Sequence, residues 1–262
     1  MSSTDTSKVT ALMEALSDGS VEIVDLTQPL REDTPVIKLP PPFANTPGLT
    51  REEISKYDDR GPAWAWYTLT IGEHVGTHLD APIHWVTGKD GNDVASVSAE
   101  QLIGPACVVD KTPETEQDNG YLLTRQDLEA WESEHGQMPR GAWVLFRTGW
   151  QSRAQEEKAF LNVGENGPHT PGPDVEASRW LATERDLSGF GTETVGIDAG
   201  AAGGFDPAFP LHNLLLGAGR LGLTQLANLD KLPITGALIV VSPLKLVGGT
   251  GSPSRVWAFV PR

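Results

Sequence analysis

The stretch from His74 to His84 constrains this chain most strongly, because it holds three imidazoles and one carboxylate within eleven residues. The segment before it, from Ala65 to Ile71, is rich in β-branched and aromatic residues and predicts a strand. If strand geometry continues through the stretch, the even spacings put four side chains on one face: His74, His78, Asp80 and His84. Gly76 and Pro82 interrupt ideal strand geometry, so the shared face is an expectation only.

These four side chains are a donor set for a divalent metal, which binds imidazole nitrogens and carboxylate oxygens aimed at one point. A single histidine on an apolar face is more often a core residue with satisfied hydrogen bonds than a ligand. Here four metal-competent groups fall together in a chain that has only six histidines. We therefore expect this stretch to bind a metal.

The composition is that of a globular protein, with 262 residues, 39% of them hydrophobic and 21% charged, which suits one large domain. The formal net charge of −15 and the lack of a basic run oppose binding to nucleic acid or to an anionic membrane. Cys107 is the only cysteine, so no disulfide can form within the chain. Because no apolar run suits a membrane span or a signal sequence, we expect a cytoplasmic protein.

Helix and strand patterns interleave along the chain. Residues 1–20 predict a helical extension and residues 21–262 the main domain. Thr124 is expected to cap the start of a helix. The continuous apolar run 143–146 is typical of a strand covered on both faces. Because strands and helices alternate without the regular period of a βα barrel, we expect a single-domain α/β or α+β fold.

Aromatic residues lie on both sides of the histidine stretch and in the proline-rich, irregular segment 29–62: Phe43, Trp64, Trp66 and Trp85. They are expected either to line an apolar pocket for a flat ring or to pack in the core. The proline-rich segment predicts a binding loop, an arm that packs elsewhere, or an extended surface loop. Arg255 follows a Gly/Ser-rich turn, and it either binds a substrate oxygen or forms a salt bridge.

The pattern His-x-Gly-Thr-His-x-Asp-x-Pro-x-His, matched at every fixed position here, resembles the metal-dependent hydrolase group called the cyclase family. Its members include kynurenine formamidases and isatin hydrolases. Further matching segments follow in the family's order and extend the resemblance from about Val21 to the end of the chain: 25–27, 33–35, 147–150, 195–198, His212, 228–229 and 248–255. The resemblance implies a β/β/α sandwich-like fold, similar to swivelling domains, with an N-terminal arm and assembly as homodimers or homotetramers.

One departure from the family pattern is informative. Kynurenine formamidases carry a glutamate about a dozen residues after the second-half histidine, where it helps to hold two zinc ions, whereas this chain has Gln225. A neutral amide bridges two cations poorly, so the resemblance implies one metal held by His74, His78, Asp80 and Gln225. Gln225 resembles the isatin hydrolase branch, which uses manganese, and this donor set favours Mn²⁺ although Zn²⁺ remains possible.

The resulting prediction is a hydrolase that opens a cyclic amide fused to an aromatic ring, such as isatin to isatinate, by a metal-activated water. His84 completes the metal set least well and is assigned to proton transfer. His212 is either a partner of the metal ligands or a second proton carrier. The alternatives are an arylformamidase acting on N-formyl-kynurenine, a polyketide cyclase or lyase, and a non-catalytic metal-binding protein.

Overall fold

The computed structural model describes residues 7–262. This part of the chain has five α-helices: α1 (Ser7–Asp18), α2 (Thr112–Gln117), α3 (Arg125–His135), α4 (Glu157–Leu161) and α5 (Val175–Thr183). A single π-helical turn spans His212–Leu216. α1 falls within the expected helical extension, of which residues 1–6 lie outside the described residues. The boundary at residue 20 stays a prediction.

The strands of the described residues follow in chain order: β1 (Val21–Asp25), β2 (Thr50–Asp58), β3 (Gly61–Thr70), β4 (His78–Asp80), β5 (Ile103–Asp110), β6 (Leu122–Leu123), β7 (Trp143–Arg147), β8 (Val163–Gly164), β9 (Gly167–Pro168), β10 (Gly172–Pro173), β11 (Gly189–Thr192), β12 (Leu221–Thr224), β13 (Ala237–Pro243) and β14 (Gly251–Pro261).

Eight strands form one mixed sheet in the order β1-β14-β13-β5-β7-β11-β12-β4. The four central strands β5, β7, β11 and β12 run parallel to one another, whereas the remaining pairings are antiparallel. β4 also pairs with the first residues of β14, so the sheet closes into a barrel. β1 pairs with the last residues of β14. The expected mixed α/β class is confirmed.

The central strands are buried on both faces, because two apolar clusters lie on opposite sides of the sheet. In β7, Trp143 and Leu145 belong to the cluster inside the sheet, and Val144 and Phe146 to the cluster beneath the helices. α3 and α5 cover that second face with Leu128, Trp131 and Trp180 among their buried residues. The prediction of a strand covered on both faces is therefore confirmed, as is the N-cap at Thr124.

β4 is short and completely buried, and it places the histidine stretch at the closure of the sheet. Asp80 lies opposite Gly222 of β12 and Gly251 of β14. A Cβ on Gly222 would lie 2.9 Å from Asp80 Oδ2, so the neighbouring strand has room only for glycine. The closed sheet therefore fixes the backbone that carries His78 and Asp80.

The segment between β1 and β4 leaves the barrel. β2 and β3 form a separate two-stranded hairpin whose side chains are mostly exposed. Trp64 and Trp66 on this hairpin are 47% and 53% exposed. No helix in residues 7–262 is both long enough and apolar enough to span a lipid bilayer.

A buried carboxyl group lies where β11 ends beside the end of β7. Glu193 is 1% exposed, and its Oε2 accepts hydrogen bonds from Thr148 N at 2.6 Å, Thr148 Oγ1 at 2.9 Å and Trp150 N at 3.2 Å. Its Oε1 is buried and has no hydrogen-bond partner in the described part of the chain. Burial raises the pKa of Glu193 above its ordinary value of 4.5, because the donors only partly offset desolvation.

This raised pKa predicts a pH-dependent effect of Glu193→Gln on stability. The folded protein holds the Glu193 proton more tightly than the unfolded chain, so ionisation costs wild-type stability as the pH rises above about 4.5. Relative to wild type, the variant should therefore gain in free energy of unfolding between pH 4.5 and pH 7, measured by urea titration. The exposed Glu165→Gln controls for loss of one carboxylate. If the difference in free energy of unfolding between Glu193→Gln and wild type does not change with pH, this interpretation is contradicted.

Candidate metal centre

The histidine stretch brings its ligands together by bending rather than by continuous strand geometry. Only His78–Asp80 lies in a strand, and Pro82–His84 forms a helical turn. Gly76 has φ +66°, a left-handed conformation that favours glycine, and it turns the chain between His74 and His78. Three of the four expected side chains, those of His74, His78 and Asp80, converge, whereas His84 lies outside their group. The strand that was expected to align all four covers only His78–Asp80.

His74, His78 and Asp80 form a group whose donor atoms all lie within 4.8 Å of one another. His74 Nδ1 is 2.8 Å from Asp80 Oδ1, and His78 Nε2 is 3.4 Å from the same oxygen. His78 Nδ1 is 2.7 Å from the carbonyl oxygen of Gly76, to which it donates, so Nε2 is the nitrogen that faces Asp80 and would bind a metal. Two imidazoles and a carboxylate in this arrangement fit a divalent metal.

Asp80 supplies the negative charge of the group. It is 1% exposed, and burial by itself raises the pKa of its carboxyl. The charge of His78 and the hydrogen bond from His74 outweigh burial and hold the pKa of Asp80 well below 3.8. A buried carboxylate of this kind needs a positive charge beside it, from protons or from a metal.

His84 lies against the metal group but outside it. Its ring stacks on the His74 ring at a centroid distance of 4.0 Å. Burial lowers the pKa of His84 from 6.5 to about 4, and the attraction of Asp80 does not offset this. The imidazole is therefore neutral at neutral pH, with a nitrogen able to accept a proton.

His212 lies on the π-helical turn, and its ring is 5.6 Å from the His84 ring. Asp198 accepts hydrogen bonds from Leu211 N at 2.7 Å, His212 N at 3.1 Å and His212 Nδ1 at 2.5 Å. His212 Nε2 lies 4.0 Å from Asp80 Oδ2. Burial lowers the pKa of His212, but the hydrogen bond and charge of Asp198, with the charge of Asp80, outweigh it and raise the pKa. Asp198 is a site residue whose function the sequence did not indicate.

Gln225 follows β12 directly and is 2% exposed. Its backbone oxygen accepts a hydrogen bond of 2.6 Å from Thr77 Oγ1, so Gln225 lies beside the histidine stretch. Its φ of +54° is rare for a residue other than glycine. Its amide nitrogen is buried without a hydrogen-bond partner among residues 7–262. The ligand role of Gln225 stays a prediction.

The metal group opens into an apolar cavity of about 550 Å³. The walls include the metal group and His84 and His212, together with Ile37, Leu39, Pro40, Phe43, Ala44, Asn45, Thr46, Trp85, Val195, Gly196 and Phe209. The Trp85 ring lies 4.9 Å from His212 and 5.6 Å from Phe209. The cavity has the size and lining of a site for a small, flat molecule.

The aromatic residues singled out in the sequence divide into two groups. Phe43 and Trp85 lie in the cavity wall. Trp64 and Trp66 lie on the β2–β3 hairpin, with their rings 6.5 Å apart, and do not belong to that wall. Arg255 is also elsewhere, since its guanidinium pairs with Asp25 at 2.6 Å. Of the two functions expected for Arg255, substrate binding or a salt bridge, the structure contains the salt bridge.

Phe209 was missed by the sequence analysis, because nothing in its local pattern marks it. It has φ +50° and follows the cis peptide bond between Asp206 and Pro207, 124 residues after Trp85. Its backbone N–H donates to Ala202 O at 2.9 Å, which holds the loop beside the cavity. Only the fold brings the Phe209 and Trp85 rings together.

A closed α/β sheet that carries a His-His-Asp group in the wall of an apolar cavity defines a protein with a candidate metal centre and a small-molecule site. The family model described as "Putative cyclase" matches residues 24–199, which is more than half of the chain. The protein belongs to this cyclase family.

The chain is similar to isatin hydrolase from Roseibium aggregatum, with 47% identity over 98% of each chain. It is also similar to a crystal structure of an isatin hydrolase bound to the product analogue thioisatinate, with 46% identity and a TM-score of 0.96. That match covers 99% of this chain and 100% of the other. A more distant relative is kynurenine formamidase from Salinibacter ruber, with 26% identity over 72% of this chain and 76% of the relative.

Proposed function

We propose that this protein is a metal-dependent hydrolase that opens the cyclic amide of a flat aromatic substrate, most specifically isatin to isatinate. The observation that carries the proposal is the metal group opening into an apolar, aromatic-lined cavity of about 550 Å³. Full-length similarity to an isatin hydrolase supports the substrate. The donors lie in the cavity wall, so a bound metal would keep a position open to substrate, unlike a closed structural site.

The proposed metal set comprises one divalent ion held by His74, His78, Asp80 and Gln225, with Mn²⁺ favoured and Zn²⁺ as the alternative. In residues 7–262, Asp80 is the one carboxylate of the clustered donor group, and a single carboxylate suits one dication better than two. Gln225 contributes a neutral amide that is buried next to the motif. When bound, the metal polarises the amide carbonyl and makes a nearby water acidic.

His84 is the proposed proton carrier. Its ring stacks on a metal ligand and its imidazole is neutral, so it can accept a proton from the attacking water. A bond forms between the water oxygen and the carbonyl carbon, and the carbon–nitrogen bond of the ring breaks. His84 then returns the proton to the departing nitrogen, which becomes an aromatic amine. The carbonyl carbon becomes a carboxylic acid, whose remaining proton is released to solvent to give the carboxylate.

His212 is proposed as a second proton carrier, next to His84 and Asp80. Asp198 holds its Nδ1–H, so Nε2 faces Asp80 and the cavity. Phe43, Trp85 and Phe209 are proposed to contact the faces and edges of the aromatic substrate.

We also propose that the protein works as a homodimer or homotetramer in the cytoplasm. An isolated two-stranded hairpin is marginally stable in water. Within residues 7–262, β2 and β3 pair only with each other, and they expose Trp64, Trp66 and Leu69. A second copy of the chain would cover these apolar side chains. The single, buried Cys107 suits a reducing compartment.

Isatin should be the better substrate when the metal-free protein is reloaded with Mn²⁺ or Zn²⁺. The apolar cavity accepts a compact bicyclic ring, so kcat/KM for isatin should exceed that for N-formyl-kynurenine by at least about a hundredfold. Both reactions are followed by absorbance, with metal-free protein as the control. Efficient formamide hydrolysis without turnover of isatin would overturn the substrate assignment.

His84→Ala should keep its metal and lose activity. Since His84 lies outside the donor group, metal content should match wild type, whereas kcat should fall by about 10²–10⁴. His84→Phe retains a ring to stack on His74 and should be equally inactive. His135→Ala, on α3, is the control and should keep normal turnover. If His84→Ala loses metal and its kcat per bound metal equals that of wild type, His84 supports the metal site and does not carry a proton.

A further inference from the structure

The Gly/Ser-rich turn before β14 carries a hydroxyl that reaches the metal group. Thr250 Oγ1 lies 2.9 Å from His74 Nε2 and 2.6 Å from Glu73 Oε2. The backbone N–H of Thr250 donates to the same Glu73 oxygen at 2.9 Å. A residue 176 positions away in the sequence thus contacts the first ligand of the metal stretch.

The proton positions follow from what each group can donate. The Glu73 carboxylate only accepts, so the Thr250 hydroxyl donates its one hydrogen to Glu73. The Thr250 oxygen is then an acceptor toward His74, whose Nε2 must carry a hydrogen to complete the second bond. Because Nε2–H is committed to Thr250, Nδ1, which lies 2.8 Å from Asp80 Oδ1, is the nitrogen left for a metal. Without a metal, the contact with the acceptor-only Asp80 carboxylate requires a hydrogen on Nδ1, and a bound metal would take the place of that hydrogen.

We infer that Glu73 and Thr250 are positioning residues which fix His74 in the Nε2–H tautomer and so present Nδ1 to the metal. The inference rests on the proposed function, because it concerns the same metal site. A carboxylate–hydroxyl–imidazole chain also makes the ligand nitrogen more basic, which strengthens metal binding.

Two further contacts limit the His74 ring to one orientation. A Cβ on Gly251 would collide with the His74 ring, so the turn packs directly against one side of it. His84 stacks on the ring at 4.0 Å. Thr250 also contacts the histidine stretch at a second place, because its carbonyl oxygen accepts a hydrogen bond of 2.9 Å from Ala81 N, next to Asp80.

The test is the metal affinity of metal-free protein, measured by competition with a chelator for Mn²⁺ and Zn²⁺. Thr250→Val keeps the shape of the side chain but removes the hydroxyl, and it should weaken metal binding about 10–100-fold. Thr250→Ser keeps the hydroxyl and should bind within about threefold of wild type. Glu73→Gln keeps an acceptor without the charge and should fall between these two variants.

Ser252→Ala is the matched control, because it removes a buried hydroxyl from the same segment whose partners are Leu244 N and Pro253 O. Its metal affinity should stay within about threefold of wild type. Melting temperatures of the metal-free proteins separate loss of fold from loss of affinity. If Thr250→Val does not fold, the metal affinity of Glu73→Gln tests the inference instead. An affinity equal to that of wild type would then overturn it.

A spectroscopic measurement tests the tautomer itself. In Zn²⁺-loaded, ¹⁵N-labelled protein, the imidazole spectrum should contain a His74 Nε2–H signal that is weakened or absent in Thr250→Val. Wild-type affinity in Thr250→Val, or a His74 hydrogen on Nδ1, would overturn the inference. Failure of the wild-type protein to bind either metal would instead overturn the proposed function.

Discussion

The contact between the Asp80 carboxylate and two imidazoles determines how the rest of this structure is arranged. Asp80 is 1% exposed, and both His74 Nδ1 and His78 Nε2 approach its Oδ1, at 2.8 Å and 3.4 Å. A buried anion beside two nitrogen lone pairs is stable only when a positive charge lies between them. Protons can supply this charge, and a divalent metal can supply it more completely. The site is therefore built around a cation.

The fold provides the rigidity that this contact requires. β4 carries two of the three donors and pairs with both β12 and β14, which closes the sheet around it. Gly222 and Gly251 let these neighbouring strands approach Asp80 and His74 closely. A cation site on a closed sheet is held more precisely than one on a loop. The aromatic walls, by contrast, come from connecting segments that contribute Phe43, Trp85 and Phe209.

Features of the structure that depend on residues close together in the sequence could be predicted from the sequence alone. Residues 74–84 indicated the His74, His78 and Asp80 group that could hold a metal, and the apolar run 143–146 indicated a central strand. Phe209 and Thr250 could not be found in this way, because each reaches the site only through long-range pairing and has no local pattern. Trp64 and Trp66 illustrate the reverse case, since they are close to His74 in sequence but lie on a hairpin that leaves the barrel. Closeness in sequence therefore predicted closeness in space within residues 74–80 but not for the hairpin residues Trp64 and Trp66.

The number of metal ions bound per chain is the decisive property of the proposed site. Metal-free protein should be titrated with Mn²⁺ and the bound ions counted by elemental analysis and electron paramagnetic resonance, in wild type and in Asp80→Asn. The account predicts one tight ion per chain, an uncoupled Mn²⁺ spectrum, and at least about a tenfold loss of affinity in Asp80→Asn. Two tightly bound, magnetically coupled ions per chain, or unchanged binding in Asp80→Asn, would contradict it.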